Sequence, residues 1–79
     1  MHVNVKLFGN LRNYLTDSQN NTKTVEVNPG ETLEDLLSQL GVPKDEVKII
    51  YVNNRRVKED YQLQEGDQIG IFPPIAGGK

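Results

Sequence analysis

The sequence has no cysteine and no tryptophan, and its one histidine, His2, stands next to the first residue. The absence of cysteine excludes disulfides, thiolate zinc sites, cysteine-held iron–sulfur clusters and a cysteine nucleophile. A lone histidine at a terminus that we expect to be frayed and exposed supports neither a metal cluster nor acid–base catalysis. The side chains therefore provide few of the groups from which active sites are built, and no metal site is expected.

The chain is also short and carries little net charge. Its 79 residues allow one small domain, which buries only about 60–65% of the surface that the unfolded chain exposes, so a deep catalytic cleft is not expected. Nine basic and eleven acidic residues give a net charge of −2, which offers no field to attract nucleic acid or an anionic membrane. No apolar run approaches the ~18 residues of a membrane span, and no signal-peptide core is present. We expect a soluble, cytoplasmic protein.

Alternation of apolar and polar residues marks two strands near the start of the chain. Residues 3–8 alternate with the period of a strand that has one buried face. Leucines at both ends of 11–15 predict a short helical turn tucked beneath the sheet, and the polar residues 16–22 predict a loop. The alternation returns over 24–27, which predicts a second strand, antiparallel to the first, before a turn at 28–30.

Thr32 begins the clearest predicted helix. Its hydroxyl suits an N-cap, and Asp35 in the first turn completes a short capping box and complements the helix dipole. Gly41 and Pro43 end the helix, because glycine favours a left-handed C-cap and proline cannot continue the helix. Between these signals, four leucines fall on one apolar face: Leu33, Leu36, Leu37 and Leu40.

Three further strands are predicted after the helix. Residues 47–52 are mostly β-branched or aromatic, and Asn53-Asn54 suits the positive φ values of a tight hairpin turn into 55–57. A turn at 65–67 leads to the last strand, 68–72. The predicted order β-β-α-β-β-β is typical of an α+β, β-grasp (ubiquitin-like) fold, with a mixed sheet of four to five strands and one main helix packed on one face.

The end of the chain has a different composition, so we divide the protein into a β-grasp domain over 1–72 and a flexible tail over 73–79. Pro73-Pro74 cannot extend a sheet ladder and holds the chain extended. Gly77-Gly78 lacks Cβ atoms and so fits a narrow channel, and an unhindered glycine carboxylate suits activation as an acyl adenylate. The residues alone leave two interpretations open: a flexible terminal linker, or an arm that enters the active site of another protein.

Over nearly its whole length, the chain resembles the β-grasp sulfur carriers, and most of all the small subunit of molybdopterin synthase. The motif that carries most of this resemblance is the terminal run Phe72-Pro73-Pro74-Ile75-Ala76-Gly77-Gly78. Less specific matches support it: Leu7-Phe8-Gly9, Leu11-Arg12, Pro29-Gly30-Glu31-Thr32-Leu33, Asp35-Leu36-Leu37, Leu40, Val52-Asn53, Leu63 and Glu65-Gly66-Asp67.

The resemblance implies a co-substrate, not a catalyst. Gly78 would be adenylated with ATP by an adenylyltransferase resembling ubiquitin-activating enzymes, and a sulfur donor would convert it to a thiocarboxylate, with Gly77 giving access. In the large subunit of molybdopterin synthase, the sulfur would pass to a pterin precursor of the molybdenum cofactor. Phe72 is either core or part of the docking surface. The partner-binding residues would be Phe72, Pro73, Pro74, Ile75 and Ala76.

Lys79 departs from the family pattern, because it ties the Gly78 carboxyl into a peptide bond. Three explanations remain open: removal by a processing protease, an origin in recombinant expression, or loss of carrier function. The tail also fits a ubiquitin-like modifier joined to proteins through the terminal glycine, or a sulfur carrier for thiamin thiazole synthesis or tRNA thiolation. No cofactor is expected on this chain. The chain would be the non-catalytic subunit of a sulfurtransferase, so whether it counts as part of an enzyme stays open. Its oligomeric state also stays open.

Overall fold

A mixed five-stranded sheet forms the body of the protein, in a computed structural model that describes residues 1–14 and 22–74. The strands are β1 (His2–Leu7), β2 (Thr22–Glu26), β3 (Ile49–Val52), β4 (Arg55–Val57) and β5 (Gln68–Phe72). The helices are α1 (Leu33–Leu40) and two 3₁₀ helices, Gly9–Tyr14 and Lys44–Glu46.

The strand order in the sheet is β2-β1-β5-β3-β4, so the first and last strands of the chain lie side by side at the centre. β1 and β5 are parallel, whereas β1–β2, β3–β4 and β3–β5 are antiparallel. This arrangement confirms the predicted α+β fold with a mixed sheet and one main helix. The parallel pairing at the centre also means that the end of β1 lies beside the end of β5.

The signals at both ends of α1 act as predicted. The Thr32 hydroxyl accepts from the Asp35 amide at 3.4 Å, and the Asp35 carboxylate accepts from the Thr32 amide at 3.0 Å, which completes the capping box. Gly41 ends the helix with a left-handed φ of 78°. The leucine face packs against the sheet, with Leu40 half-buried and Leu33, Leu36 and Leu37 buried.

The core lies between α1 and one face of the sheet. The inward residues of β1 and β5 are fully or almost fully buried, and Leu11 of the first 3₁₀ helix closes one end of this layer. Leu15, predicted to lie beside Leu11, is outside the described residues. The buried aliphatic side chains of the two central strands are Val3, Val5, Leu7, Ile69 and Ile71.

Three details differ from the predictions. β2 begins at Thr22, since its pairing with β1 extends to Lys6. β3 begins at Ile49 and not at residue 47, because the 3₁₀ helix before it continues to the hydrogen bond from the Val47 amide to the Lys44 carbonyl. His2 is exposed, as predicted, but not frayed: its amide donates to the Glu65 carboxylate, and its carbonyl accepts from the Gly66 amide at 2.8 Å.

Candidate functional site

The sheet face opposite α1, here called the open face, carries no packed helix in the described part of the chain. Strand alternation places on it the residues that lie between the core positions of β1, β3 and β5. A shallow depression runs along this face toward the end of β5. The residues that line it are Asn4, Lys6, Phe8, Thr22, Tyr51, Asn54, Gln68, Ile69, Gly70 and Phe72.

Three aromatic rings on the open face, Phe8, Tyr51 and Phe72, form a group that we call the aromatic cluster. The rings of Phe8 and Phe72 are stacked, with centroids 4.1 Å apart and planes 6° from parallel. Tyr51 meets Phe72 edge-on, with centroids 5.8 Å apart and an angle of 84°. Tyr51 is 38% exposed, more than any other large hydrophobic residue of the described surface. Such an accessible aromatic surface is typical of protein interaction sites.

The backbone fixes the position of Phe72 at the base of the tail. Its ring lies on the open face because Ile71, the residue before it, points into the core. Its carbonyl accepts from the Lys48 amide at 2.8 Å, and the Phe8 amide donates to the Ile71 carbonyl at 3.1 Å. Of the two positions considered for Phe72, core or surface, the structure places it half-buried on the open face.

Positive charge borders the aromatic cluster on two sides. The Lys6 ammonium lies 5.3 Å from the centroid of the Phe8 ring, in the range of a cation–π contact. On the other side, Arg56 of β4 pairs in register with Tyr51 and therefore shares its face. The cluster thus combines apolar rings with cations, a surface that favours a partner with apolar and acidic side chains.

The sheet ends where the two prolines begin, as predicted, because β5 stops at Phe72. Pro73 and Pro74 line a small depression with Asn10 of the first 3₁₀ helix and with Asp45 and Glu46 of the second. The remaining predicted site residues, Ile75, Ala76, Gly77 and Gly78, lie with Lys79 outside the described residues. The structure therefore brings Phe72, Pro73 and Pro74 to one end of the sheet, at the edge of the aromatic cluster.

Asp67, predicted to lie in a turn, has a larger structural role. It is 3% exposed, and its carboxylate accepts hydrogen bonds from the Asn53 amide group, the Tyr61 hydroxyl and the Gln64 backbone amide at 2.8–2.9 Å. Burial, together with the hydrogen bond to Asp67, raises the pKa of Tyr61. The network fixes the start of β5, and so helps to hold the strand from which the tail leaves.

The described ranges, 1–14 and 22–74, hold no group of three or more His, Cys, Asp or Glu side chains placed to bind a metal ion. Within the same ranges, no helix is both long enough and apolar enough to span a membrane.

A mixed sheet with its first and last strands parallel at the centre, and one helix across it, defines a β-grasp domain of the ubiquitin-like type. The family assignment is more specific than this fold type. The sequence model of the ThiS family matches residues 5–78, and the chain belongs to this family. The match includes both glycines of the tail and ends at Gly78, which leaves Lys79 outside it. The resemblance to β-grasp sulfur carriers is thereby confirmed.

Solved structures show the same fold. A Pyrococcus furiosus chain assigned as molybdopterin converting factor subunit 1 has 26% identity and a TM-score of 0.72, over 94% of this chain and 98% of that chain. A structure of small archaeal modifier protein 1 of Haloferax volcanii has 22% identity and a TM-score of 0.72, over 94% of this chain and 98% of that chain. A complex of subunits 1 and 2 of molybdopterin-converting factor from Helicobacter pylori gives 22% identity and a TM-score of 0.62, over 99% and 100%.

Proposed function

We propose that this protein carries sulfur on the carboxyl group of Gly78 and serves as the small subunit of a molybdopterin synthase. The observation that carries the proposal is the family match, which runs through the glycine pair and ends at Gly78. The Pyrococcus furiosus chain with 26% identity is assigned as molybdopterin converting factor subunit 1, which supports the molybdopterin pathway. The absence of cysteine from the sequence is consistent with sulfur carried on the main-chain carboxyl.

The chemistry takes place on the tail. The Gly78 carboxylate attacks the α-phosphate of ATP on an adenylyltransferase, and pyrophosphate leaves. A donor that supplies sulfur at the oxidation level of sulfide then attacks the acyl carbon; the bond to AMP breaks and a thiocarboxylate remains. The activating partner uses the ATP, and in this proposal the carrier chain binds no cofactor of its own. The proposed reaction takes place in the cytoplasm. Gly77 keeps the backbone slender beside the reacting carbonyl.

The open face is the docking surface in this proposal. Phe72 lies at the junction of the aromatic cluster and the tail, so a partner that holds Pro73 and Pro74 also contacts the cluster. The cations Lys6 and Arg56 select for acidic residues around an apolar centre. The large subunit of the synthase is the partner proposed, and in the Helicobacter pylori structure subunit 1 is bound to subunit 2.

Carrier function requires that the peptide bond between Gly78 and Lys79 be hydrolysed. We therefore propose a processing protease that removes Lys79 and leaves Gly78 with a free carboxylate. A variant truncated after Gly78 tests this step directly, because it does not need the protease. A second variant truncated after Ala76 keeps the folded domain but has no reactive glycine, and is the matched control.

Intact-mass spectrometry of the protein from its native cells tests the proposal. We expect a chain that ends at Gly78, part of it heavier by the difference between one sulfur and one oxygen atom. The large subunit should copurify with it. The variant truncated after Gly78 should gain the same mass in cells without the protease, and the variant truncated after Ala76 should not.

Two results would overturn the proposal. Full-length, unmodified chain alone, in cells that are making the cofactor, would exclude a carrier role. Branched Gly-Gly peptides on lysines of other proteins, without any thiocarboxylate, would show instead a protein modifier, a role named for the archaeal protein of similar fold.

A further inference from the structure

Gly9 contacts the first residue of the tail. It follows β1 and has a φ of +59°, in the left-handed region that side-chain-bearing residues disfavour. A Cβ atom built on Gly9 would lie 2.9 Å from Cγ and 3.5 Å from Cδ of Pro73. The first distance is too short for two carbon atoms, so the proline ring occupies the space that a side chain at position 9 would need.

The other glycines with positive φ in the described ranges provide a comparison. Gly30, Gly41 and Gly66 have φ values of +90°, +78° and +82°, and a Cβ on any of them would meet nothing within 4 Å. Backbone conformation alone accounts for glycine at these three turns. Gly9 has a second reason to be glycine, which is the close approach of Pro73.

Both partners in this contact are held by interactions of neighbouring residues. Gly9 is held by its neighbours, since the Phe8 amide donates to the Ile71 carbonyl and the Gly9 carbonyl accepts from the Arg12 side chain at 3.0 Å. Pro73 is held from the other side, because Phe72 is stacked on Phe8. The proline ring also fixes its own φ. A side chain at position 9 would therefore have to push the chain after Phe72 onto another path.

We propose that Gly9 is a positioning residue, whose missing side chain sets the direction in which the tail leaves β5. The functional importance of this direction rests on the proposed function, in which the tail has to bring Gly78 to the activating enzyme and to the large subunit. The contact itself is a property of the isolated chain, so the direction of the tail is tested without any partner.

The first experiment measures this direction with a spin label. The sequence has no cysteine, so Pro74→Cys gives a single attachment site next to Pro73. With Gly9 in place, we expect the label to broaden the amide signals of Asn10, Asp45 and Glu46, which line the same depression. Gly9→Ala should change this broadening pattern, and Gly66→Ala should not. Identical patterns in the two variants would overturn the proposal.

Gly66→Ala is the matched control because it introduces the same methyl group at a positive φ, but in open space. We expect both alanine variants to lower Tm by about 4–8 °C, from backbone strain common to both. If Gly9→Ala does not fold, Gly9→Asn replaces it, since asparagine tolerates the left-handed region and still places a Cβ against Pro73. Unchanged broadening in Gly9→Asn would overturn the proposal equally.

The second experiment measures activation. With the adenylyltransferase of the same organism and chains truncated after Gly78, we expect Gly9→Ala to slow adenylate formation by roughly 10–100-fold, because a small misplacement of a reacting group has effects of this size. Gly66→Ala should retain the original rate. The effect of Gly9→Ala should shrink in a Pro73→Ala background, where Cγ and Cδ are gone. An equal effect in both backgrounds would assign it to strain and not to position.

The two experiments separate the two proposals. If the unaltered chain is never adenylated, the proposed function fails, and the spin-label result still decides whether Gly9 directs the tail. If adenylation occurs at the original rate in Gly9→Ala, the carrier function stands and the positioning role is wrong.

Discussion

The two faces of the sheet differ in composition although they are made from the same strands. The face toward α1 is aliphatic and buried, with Val3, Val5 and Leu7 inaccessible to solvent. The open face alternates polar residues with the aromatic cluster, and Tyr51 remains 38% exposed. Because neighbouring residues in a strand point to opposite faces, one short strand contributes side chains both to the core and to the open face. Substitutions on the covered face should therefore act mainly on stability, and those on the open face should have their largest effect on the proposed docking.

The largest effect is expected on the covered face. Leu36→Ala removes a fully buried side chain of α1 and leaves a cavity against the sheet, so the free energy of unfolding should fall by about 2–5 kcal/mol. Leu40→Ala, at the half-buried end of the same leucine face, should lower the free energy of unfolding by less. Urea unfolding measures both, and an equal loss would show that α1 is not packed as described.

Asp67→Ala tests the polar network at the start of β5. Three donors, from Asn53, Tyr61 and Gln64, lose their acceptor, and the expected loss is about 2–3 kcal/mol. Asp60→Ala, an exposed acidic residue of the neighbouring segment, should change the unfolding free energy by no more than about 0.5 kcal/mol. If the two substitutions were equivalent, the network would contribute nothing to holding β5.

Phe72→Ala sharpens the comparison most directly, because it acts on the open face. Loss of the stacked pair with Phe8 should cost about 1–2 kcal/mol of stability. Affinity for the large subunit should fall by a factor of about 30 or more, as at an interface hot spot. Thr24→Ala lies on the same face but on β2, away from the cluster, and should preserve binding. Unchanged affinity in Phe72→Ala would separate the cluster from docking.

Tyr61→Phe should cost about 1 kcal/mol near neutral pH, since it removes the hydrogen bond to Asp67. The pKa of Tyr61 is raised, so the folded chain holds this proton more tightly than the unfolded chain. The stability that this protonated hydroxyl contributes is therefore fully present below pH 10, the ordinary tyrosine pKa. It is lost as the pH rises through the raised pKa of Tyr61.

The alkaline part of this prediction is measured by urea unfolding at several pH values. Above pH 10, the free energy of unfolding should fall less in Tyr61→Phe than in the unaltered protein. Tyr14, whose pKa is raised by its hydrogen bond to Glu46, should account for part of the loss that remains. A steeper alkaline loss in Tyr61→Phe would contradict the sign of the raised pKa.

The smallest effect is expected for Lys44→Gln. Its ammonium lies 2.6 Å from the Glu34 carboxylate, but both side chains are more than half exposed. Ion pairs of this kind often contribute nothing measurable, because water and salt screen them. Thermal unfolding at physiological ionic strength should not distinguish the variant from the original, and a clear fall in Tm would mean that this bridge is an exception.

Local signals predicted most of the fold. The capping box at Thr32, the left-handed Gly41 and the positive φ values of Asn53 and Asn54 all depend on residues close together in the chain, and all three are confirmed. The boundaries of β2 and β3 were less predictable, because strand ends depend on pairing with distant segments. For the candidate site, the terminal motif was visible in the sequence, whereas the aromatic cluster was not.

The sequence by itself determined the order of the elements, the alternation that separates core from open face, and the family to which the tail belongs. Only the tertiary structure decided which distant residues meet: Phe8 with Phe72, and Gly9 with Pro73. The physical reason is the parallel pairing of β1 with β5, which places the end of β1 beside the end of β5. No local pattern encodes that contact, because it follows from how the whole chain buries its apolar surface.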